Sequence, residues 1–330
     1  MATGSEDSTI ILWDAADGSL VQQWVAHSYK WVTSLAFSPD GRFLASGGGY
    51  SSLKIWDVAV GSREVNVLKE HNNSVVSSAW SPHGEMIASG SSDESVRLWD
   101  PRTFRELHAL NPASEHLDAS SRNSIQLVVF SPDGSWLVSG SHGTYDIWNV
   151  ASGTMHKSLP ANLDSAVLPV AAFSPGGTRL LVAARDEVKL MDVETKKELV
   201  VWRGSKNITD VAFSPDGTLF LSAPDDGVVK LWDADTSAER FTLEGHKKAV
   251  TGACFSPCGE YVASASQDST VRLWRTKDGS CVATFFDHNS TQVLRVAFCP
   301  DGETLWSGDS DGTVVMRRMR DIVPSNEQAS

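Results

Sequence analysis

A short phrase recurs along this chain at a nearly constant interval. Phe-Ser-Pro-Asp-Gly, first seen at Phe37, or a close variant of it is followed about nineteen residues later by Leu-Trp-Asp or a variant. The tryptophan position of successive units falls at residues 13, 56, 99, 148, 191, 232, 274 and 317. A period of roughly 40–45 residues is typical of a repeat array, in which each unit buries its apolar faces against its neighbours. This period constrains the fold more than any other feature of the sequence.

One unit shows what each repeat contains. We predict strands at Val75–Trp80, Met86–Gly90, Ser95–Trp99 and Phe104–Leu110, separated by turn signals such as Ser-Pro-His-Gly. Short runs rich in β-branched and aromatic residues between such turns are typical of strands. Four short antiparallel strands per unit, repeated about seven times, predict an all-β protein of the β-propeller class.

Charge and cysteine content narrow the class of partner. The net charge of −13 over 330 residues argues against nucleic acid or an anionic membrane surface. No apolar stretch reaches the roughly 18 residues of a membrane helix, and the N-terminus lacks a signal-peptide core. The four cysteines have no histidine at zinc spacing, so we predict reduced thiols and neither metal nor cofactor. We therefore expect an intracellular protein, in the cytoplasm or the nucleus.

The units resemble WD40 repeats from about Ala2 to Arg317. This resemblance implies a seven-bladed propeller over residues 1–318, with the half repeat 1–26 closing the ring and 319–330 as a flexible tail. The alternative is eight blades, of which the first is incomplete. A start in mid-repeat is also compatible with a piece of a longer protein.

The resemblance also implies a buried hydrogen-bonded tetrad in each blade, made of His, Ser or Thr, Asp and Trp. An indole N–H inside a stack of sheets needs an acceptor, and a buried carboxylate needs donors. We interpret these residues as structural rather than catalytic. Two units keep the whole set, namely His71, Ser89, Asp93 and Trp99, and His246, Ser264, Asp268 and Trp274.

The other units depart from this pattern. Tyr50 stands where the first unit should have its Asp, and the third unit has a shortened turn at 141–143. Met191 replaces Trp in the fourth unit, and Ser205 stands near the His position of the fifth. The seventh unit has Arg in the Trp place beside three retained members, and its four residues are Arg317, His288, Ser307 and Asp311. We expect the third to fifth and the seventh units to be less rigid than the second and sixth.

Two schemes for closing the ring follow from the half repeat. In one, Ser19–Val25 is the outer strand against Val293–Arg317. In the other, Thr9–Trp13 also pairs there and displaces Thr313–Arg317. The second scheme would form a tetrad from Thr3, Asp7, Trp13 and His288.

Three features predict where a partner binds. Trp31 lies in a loop before a first strand, where an exposed tryptophan is typical of an interface. Tyr29 and Tyr50 should lie near it and form one aromatic patch. The loop Asn111–Asn123 is longer than its counterparts, and we interpret it as a tolerated insertion or a binding loop.

A separate surface signal is Trp99-Asp100-Pro101-Arg102. It resembles the WDxR box of WD40 substrate receptors that dock on the adaptor of cullin–RING ubiquitin ligases. In that family Asp100 and Arg102 would face the adaptor.

The sequence lacks the phosphate-binding loop, HExxH and GxSxG motifs, and its histidines do not converge outside the tetrads. We therefore predict a non-catalytic interaction scaffold that binds partner proteins or peptides within a larger multiprotein complex. The alternatives are a ubiquitin-ligase substrate receptor, the C-terminal ligand-sensing domain of a longer immune-type protein, and an enzyme.

Overall fold

A computed structural model describes residues 1–28, 30–49, 51–60, 62–112, 124–161, 168–184, 187–203 and 207–323. Within these residues the chain forms β-strands in eight antiparallel sheets and one short helix. The chain divides into two compact units, Met1–Pro169 and Val170–Ser330, each with four sheets.

The first unit contains one three-stranded sheet followed by three four-stranded sheets, with strands paired in chain order. The first sheet holds β1 (Ala2–Gly4), β2 (Thr9–Trp13) and β3 (Leu20–Val25). The second holds β4 (Val32–Phe37), β5 (Phe43–Gly48), β6 (Leu53–Asp57) and β7 (Arg63–Leu68). The third holds β8 (Val75–Trp80), β9 (Ile87–Ser91), β10 (Val96–Trp99) and β11 (Glu106–Leu110). The fourth holds β12 (Leu127–Phe130), β13 (Trp136–Gly140), β14 (Thr144–Asn149) and β15 (Thr154–Pro160).

The second unit contains three four-stranded sheets followed by a three-stranded one. The fifth sheet holds β16 (Ala171–Phe173), β17 (Arg179–Ala184), β18 (Glu187–Asp192) and β19 (Glu198–Arg203). The sixth holds β20 (Ile208–Phe213), β21 (Leu219–Pro224), β22 (Val229–Asp233) and β23 (Glu239–Leu243). The seventh holds β24 (Val250–Phe255), β25 (Tyr261–Ser266), β26 (Val271–Arg275) and β27 (Cys281–Phe285). The eighth holds β28 (Val293–Phe298), β29 (Thr304–Asp309) and β30 (Val314–Arg318), followed by helix α1 (Met319–Ile322).

The repeated Ser-Pro-Asp-Gly phrase forms the turn between the first two strands of a sheet. The Ser38 hydroxyl donates to Asp40 Oδ1 and accepts from the Phe43 amide at 2.8 Å, while the Gly41 amide donates to the Ser38 carbonyl at 2.8 Å. Gly41 has a φ of 70°, which a residue without a Cβ adopts at no steric cost. The repeated wording is therefore largely turn chemistry.

The apolar core lies between consecutive sheets. In the first unit one cluster joins the second and third sheets through Ile55, Val75, Ile87 and Trp99, all nearly or fully buried. In the second unit an equivalent cluster joins the sixth and seventh sheets. Stacking is thus what buries the two faces of each sheet.

Hydroxyl groups on the first strands connect neighbouring sheets. Thr33 donates to the Val75 carbonyl at 2.5 Å within the first unit. In the second unit Thr209 donates to the Val250 carbonyl at 2.7 Å. Each bond links the first strand of one sheet to a main-chain carbonyl of the next.

The predicted all-β class is confirmed, and six of the eight antiparallel sheets in the described residues have four strands. The main prediction of seven blades is corrected to eight, the number that the alternative gave. Both closure schemes are wrong. Thr9–Trp13 pairs with Ala2–Gly4 on one side and Leu20–Val25 on the other, so the half repeat makes its own sheet. Val314–Arg318 stays paired with Thr304–Asp309. The half repeat contributes the three strands β1, β2 and β3, of which β2 is paired along both edges.

Candidate functional site

A complete tetrad lies inside the third sheet. His71 Nδ1 is 2.9 Å from Asp93 Oδ2, and His71 Nε2 is 2.7 Å from the hydroxyl of Ser89. The Trp99 indole donates to the same hydroxyl at 2.9 Å. The loop before β8 supplies His71, β9 supplies Ser89, the following turn supplies Asp93 and β10 supplies Trp99. Four elements of one blade therefore meet at one hydroxyl and one imidazole.

The seventh sheet repeats this arrangement. His246 Nδ1 is 3.1 Å from Asp268 Oδ2, and Ser264 accepts the Trp274 indole N–H at 2.9 Å while lying 2.8 Å from His246 Nε2. The side chains of His71 and His246 are both fully buried. Since neither imidazole reaches solvent, these groups hold the blade together and have no route to a substrate.

The charges of the tetrad follow from burial and hydrogen bonds. Burial raises the pKa of Asp93, but donors from Ser95, the Asn72 amide and His71 outweigh it and lower the pKa to about 2. Burial lowers the pKa of His71, and the neighbouring Asp93 opposes this only in part. At neutral pH the carboxylate is therefore ionised and the imidazole neutral. Nδ1 carries the proton donated to Asp93, and Nε2 accepts from Ser89.

The incomplete units keep fragments of this network. In the fourth sheet the Trp148 indole donates to Ser139 at 2.9 Å, and in the sixth the Trp232 indole donates to Ser222 at 3.0 Å. In the first sheet the Trp13 indole donates to Thr3 at 2.9 Å. Pairing of the indole N–H with a hydroxyl thus persists in sheets that lack the complete tetrad.

His27 belongs to the second sheet, where Tyr50 occupies the Asp position. Its Nε2 lies 2.9 Å from the Ser46 hydroxyl, which also accepts the Trp56 indole N–H at 2.8 Å. Burial, helped by the charge of Lys54, lowers the pKa of His27 to about 4. Tyr50 itself lies outside the described residues, as does Tyr29, so the predicted aromatic patch stays a prediction. The same holds for Ser205 and for most of the Asn111–Asn123 loop.

The eighth sheet, made from the seventh full repeat, corrects one predicted residue. His288 Nδ1 is bonded to Asp309 Oδ2 at 2.9 Å, whereas the sequence suggested Asp311. The Asp311 amide instead donates to Asp309 Oδ1 at 3.0 Å. The turn offers two aspartates, and the one that ends β29 faces the histidine.

Arg317 takes the place of the tryptophan in this sheet. Its Nη1 donates to the Ser307 hydroxyl at 2.8 Å and its Nε to Asp287 at 3.0 Å. The guanidinium lies 4.7 Å from the centre of the Phe285 ring, and the side chain is nearly buried. A cation thus supplies the N–H that an indole supplies elsewhere.

Trp31 has a different environment from the tetrad residues. It is 60 % exposed and lies at a cavity of about 540 Å³. The cavity is lined by residues of two chain segments, Val25, Ser28 and Trp31 in one and Glu6, Asp7 and Ser8 in the other. The first group follows or ends β3, and the second lies in the turn between β1 and β2.

Sequence reasoning missed the acidic wall of this cavity. Glu6 and Asp7 belong to the first sheet, whereas the loop of Trp31 leads into the second. The signal that the sequence offered was the turn Ser5-Glu6-Asp7-Ser8, in the half repeat that precedes the tryptophan loop. Its role in a cavity depends on which sheets are neighbours, and the second predicted closure scheme had placed Asp7 in a tetrad with His288 instead.

Asp100 and Arg102 lie in the turn between β10 and β11. Asp100 Oδ1 accepts from the Arg102 amide at 2.8 Å, and Oδ2 accepts from the Thr103 hydroxyl at 2.8 Å. Backbone and side-chain donors in this turn lower the pKa of Asp100. Asp233 and Thr236 form a similar turn in the sixth sheet. Asp100 therefore has a turn-forming role, and the strand β10 separates it from the turn of Asp93.

The described part of the chain contains neither a metal-binding cluster nor a membrane-spanning helix. No group of three His, Cys, Asp or Glu side chains there could hold a metal ion. No helix in the same residues is long and apolar enough to cross a membrane.

A family model described as "WD domain, G-beta repeat" matches this chain six times. The matches cover residues 18–57, 62–100, 114–149, 196–233, 238–275 and 279–316, which is more than half of the chain. The chain belongs to the WD40 family. Within this WD40 protein, the unmatched segments include residues 1–17 of the half repeat and residues 150–195, which contain Met191.

Several curated proteins are similar to this WD40 chain. The WD repeat-containing protein WDS homolog of Arabidopsis thaliana is 26 % identical over 136 residues, 39 % of this chain and 26 % of the relative. The small ribosomal subunit protein RACK1y of Oryza sativa subsp. japonica is 30 % identical over 117 residues, 33 % of this chain and 34 % of the relative. The target of rapamycin complex subunit wat1 of Schizosaccharomyces pombe is 23 % identical over 197 residues, 58 % of this chain and 62 % of the relative. The chain spans less than two thirds of the length of each.

Proposed function

We propose that this chain is a non-catalytic interaction module that binds partner proteins or peptides through the surface around Trp31. The exposure of Trp31 beside a cavity is the observation that carries the proposal. Tryptophan is enriched among the residues that contribute most to interfaces, where it fills a desolvated pocket. The tetrads, by contrast, are buried and already satisfied.

The energy available from Trp31 is sufficient for a specific contact. A tryptophan offers roughly 150–250 Å² of surface, and Trp31 leaves 60 % of its surface exposed. Covering this area at about 25 cal/mol per Å² would contribute about 2–4 kcal/mol before entropic costs. Since tenfold in affinity corresponds to about 1.4 kcal/mol, loss of the side chain should be measurable.

The names of two relatives support a role in larger assemblies. The rice protein is a ribosomal subunit protein, and the fission yeast protein is a subunit of the target of rapamycin complex. By analogy we place this chain in a multiprotein complex as a scaffold or recognition subunit, while the family fold alone selects no partner.

We also place the protein in the cytoplasm or the nucleus. Its four cysteines, Cys254, Cys258, Cys281 and Cys299, are all free. Unpaired thiols, two of them exposed, suit a reducing compartment.

Peptide selection tests this function. A random peptide library displayed on phage is panned against the full chain and against Trp31→Ala. We expect peptides that bind the unchanged chain at least about tenfold more tightly than Trp31→Ala, because the indole contributes buried area only when a ligand covers it. Thermal unfolding of Trp31→Ala should match that of the unchanged chain.

A matched control is Phe286→Ala, since Phe286 is 74 % exposed and does not line the cavity. Peptides that bind Trp31→Ala as well as the unchanged chain would contradict the proposal. Arg102→Ala tests the ligase alternative. If the chain captures a ubiquitin-ligase adaptor, and this capture is lost in Arg102→Ala but kept in Trp31→Ala, the result would favour binding through the WDxR box instead.

A further inference from the structure

We infer that the cavity beside Trp31 recognises one basic side chain, arginine or lysine, of a partner polypeptide. This inference rests on the proposed interaction function and names the chemistry of its ligand. Its volume of about 540 Å³ lies within the roughly 300–1,000 Å³ typical of ligand pockets. One long side chain fits such a space.

The two walls of the cavity are held together by main-chain hydrogen bonds. The Ala26 amide donates to the Ser8 carbonyl at 2.9 Å, and the Val32 amide donates to the Ser5 carbonyl at 3.1 Å. The turn itself is fixed by the Ser8 amide, which donates to the Ser5 carbonyl at 3.3 Å. The acidic turn and the tryptophan loop therefore form one preorganised site, which reduces the entropic cost of binding.

The charge of the cavity favours a cation. Asp7 Oδ1 accepts from the Thr9 amide at 2.9 Å and from the Thr9 hydroxyl at 2.6 Å, and these bonds lower the pKa of Asp7. Asp7 is therefore ionised at neutral pH, and among the described hydrogen bonds its Oδ2 accepts none. Glu6 adds a second exposed carboxyl group to the same wall. An anionic ligand would be repelled by this wall.

Trp31 and Val25, which also line the cavity, offer apolar and aromatic surface to the methylene chain and the charged group of a basic side chain. The exposed face of Trp31 can stack on a guanidinium or ammonium group, which is attracted to the ring. Val25, 61 % exposed, offers apolar surface for the methylene stem. A cavity lined by two carboxylates and an indole is thus complementary to arginine or lysine in charge and in the surface it offers.

The nearby Lys30 does not occupy the site. A β-carbon at Gly49 would lie only 2.7–2.8 Å from the Cβ, Cγ and Cδ atoms of Lys30. The lysine stem therefore runs over Gly49, where the missing side chain makes room for it. Lys30 is not among the residues that line the cavity.

The test is a titration of the full chain observed by NMR. The probes are N-acetyl-arginine amide, N-acetyl-lysine amide and N-acetyl-citrulline amide, the last a neutral match for arginine. The indole N–H signal of Trp31 is assigned among the 12 tryptophans by comparison with Trp31→Phe. We expect saturable shifts with arginine and lysine amides, weakened by added salt, and none with citrulline amide.

Variants locate the charge. Glu6→Gln with Asp7→Asn should weaken arginine amide binding at least about tenfold. The control Glu85→Gln with Glu94→Gln removes the same charge from other exposed positions and should change little. Equal shifts with citrulline amide, no shift with arginine amide, or equal loss in the control would overturn the inference. Trp31-dependent peptides without an essential basic residue would overturn it too, while leaving the proposed function in place.

Discussion

The hydroxyl of Ser89 should contribute more to stability than that of Ser139. Both serines lie on the second strand of a sheet in the first unit, and both are buried. Ser89 accepts the indole N–H of Trp99 and donates to His71, whereas among the described side chains Ser139 is paired only with Trp148. Ser89→Ala would therefore leave two buried groups without a partner, the Trp99 indole N–H and Nε2 of His71. Ser139→Ala would leave one, the Trp148 indole N–H.

The size of the difference follows from the cost of an unsatisfied buried group, about 1–3 kcal/mol. Ser89→Ala should lower the free energy of unfolding by about 2–6 kcal/mol, and Ser139→Ala by about 1–3 kcal/mol. The exposed Ser19 provides a control, since Ser19→Ala should stay within about 0.5 kcal/mol of the unchanged chain.

Equilibrium urea unfolding measures these differences, with tryptophan fluorescence and far-ultraviolet circular dichroism as two probes. Coincidence of the two transitions within each variant justifies a comparison of free energies. Equal losses for Ser89→Ala and Ser139→Ala would refute the reasoning, because they would show that the imidazole finds another partner at no cost.

Three further outcomes are expected. Arg317→Trp should raise the free energy of unfolding by about 1 kcal/mol, since an indole can donate to Ser307 and Asp287 regains water; a lowered free energy would show that the cation is needed. For His27, burial places the folded pKa near 4, below the ordinary 6.5, so stability present above pH 6.5 should fall by up to about 3 kcal/mol on acidification to pH 4. Urea titrations of His27→Gln across this window should show a shallower fall, and an unchanged slope would contradict the assignment. Amide exchange followed by mass spectrometry should be slower in β9 and β25 than in β17, whose sheet has Met191 in place of tryptophan; fastest exchange in β9 would count against a stabilising tetrad.

The repeat period predicted most of the strands because each strand and its turn are encoded locally. The predicted strand Val75–Trp80 coincides with β8, and Ser95–Trp99 differs from β10 by one residue. The tetrads of His71 and His246 were readable for the same reason. Each tetrad residue lies at a fixed number of residues from a turn in its own repeat.

The rest depends on contacts between segments that the period does not order. The half repeat forms a separate sheet because β1 and β3 pair along the two edges of β2. The repeat period alone does not decide between this pairing and pairing with the last sheet, which is distant in sequence. The acid that pairs with His288 is Asp309 because it ends β29, while the turn supplies a second aspartate two residues later. The cavity at Trp31 draws its walls from two sheets, so no single repeat contains its pattern.

The hydrogen bonds that threonines on first strands donate to the next sheet affect how repeats of such a chain can be exchanged. Thr33, Thr209 and Thr251 each donate to a main-chain carbonyl, of Val75, Val250 and Val293 respectively. A carbonyl is present whatever residue stands there, so the donor makes no demand on the identity of its neighbour's side chain. A repeat copied or exchanged by recombination meets the same acceptor in its new position.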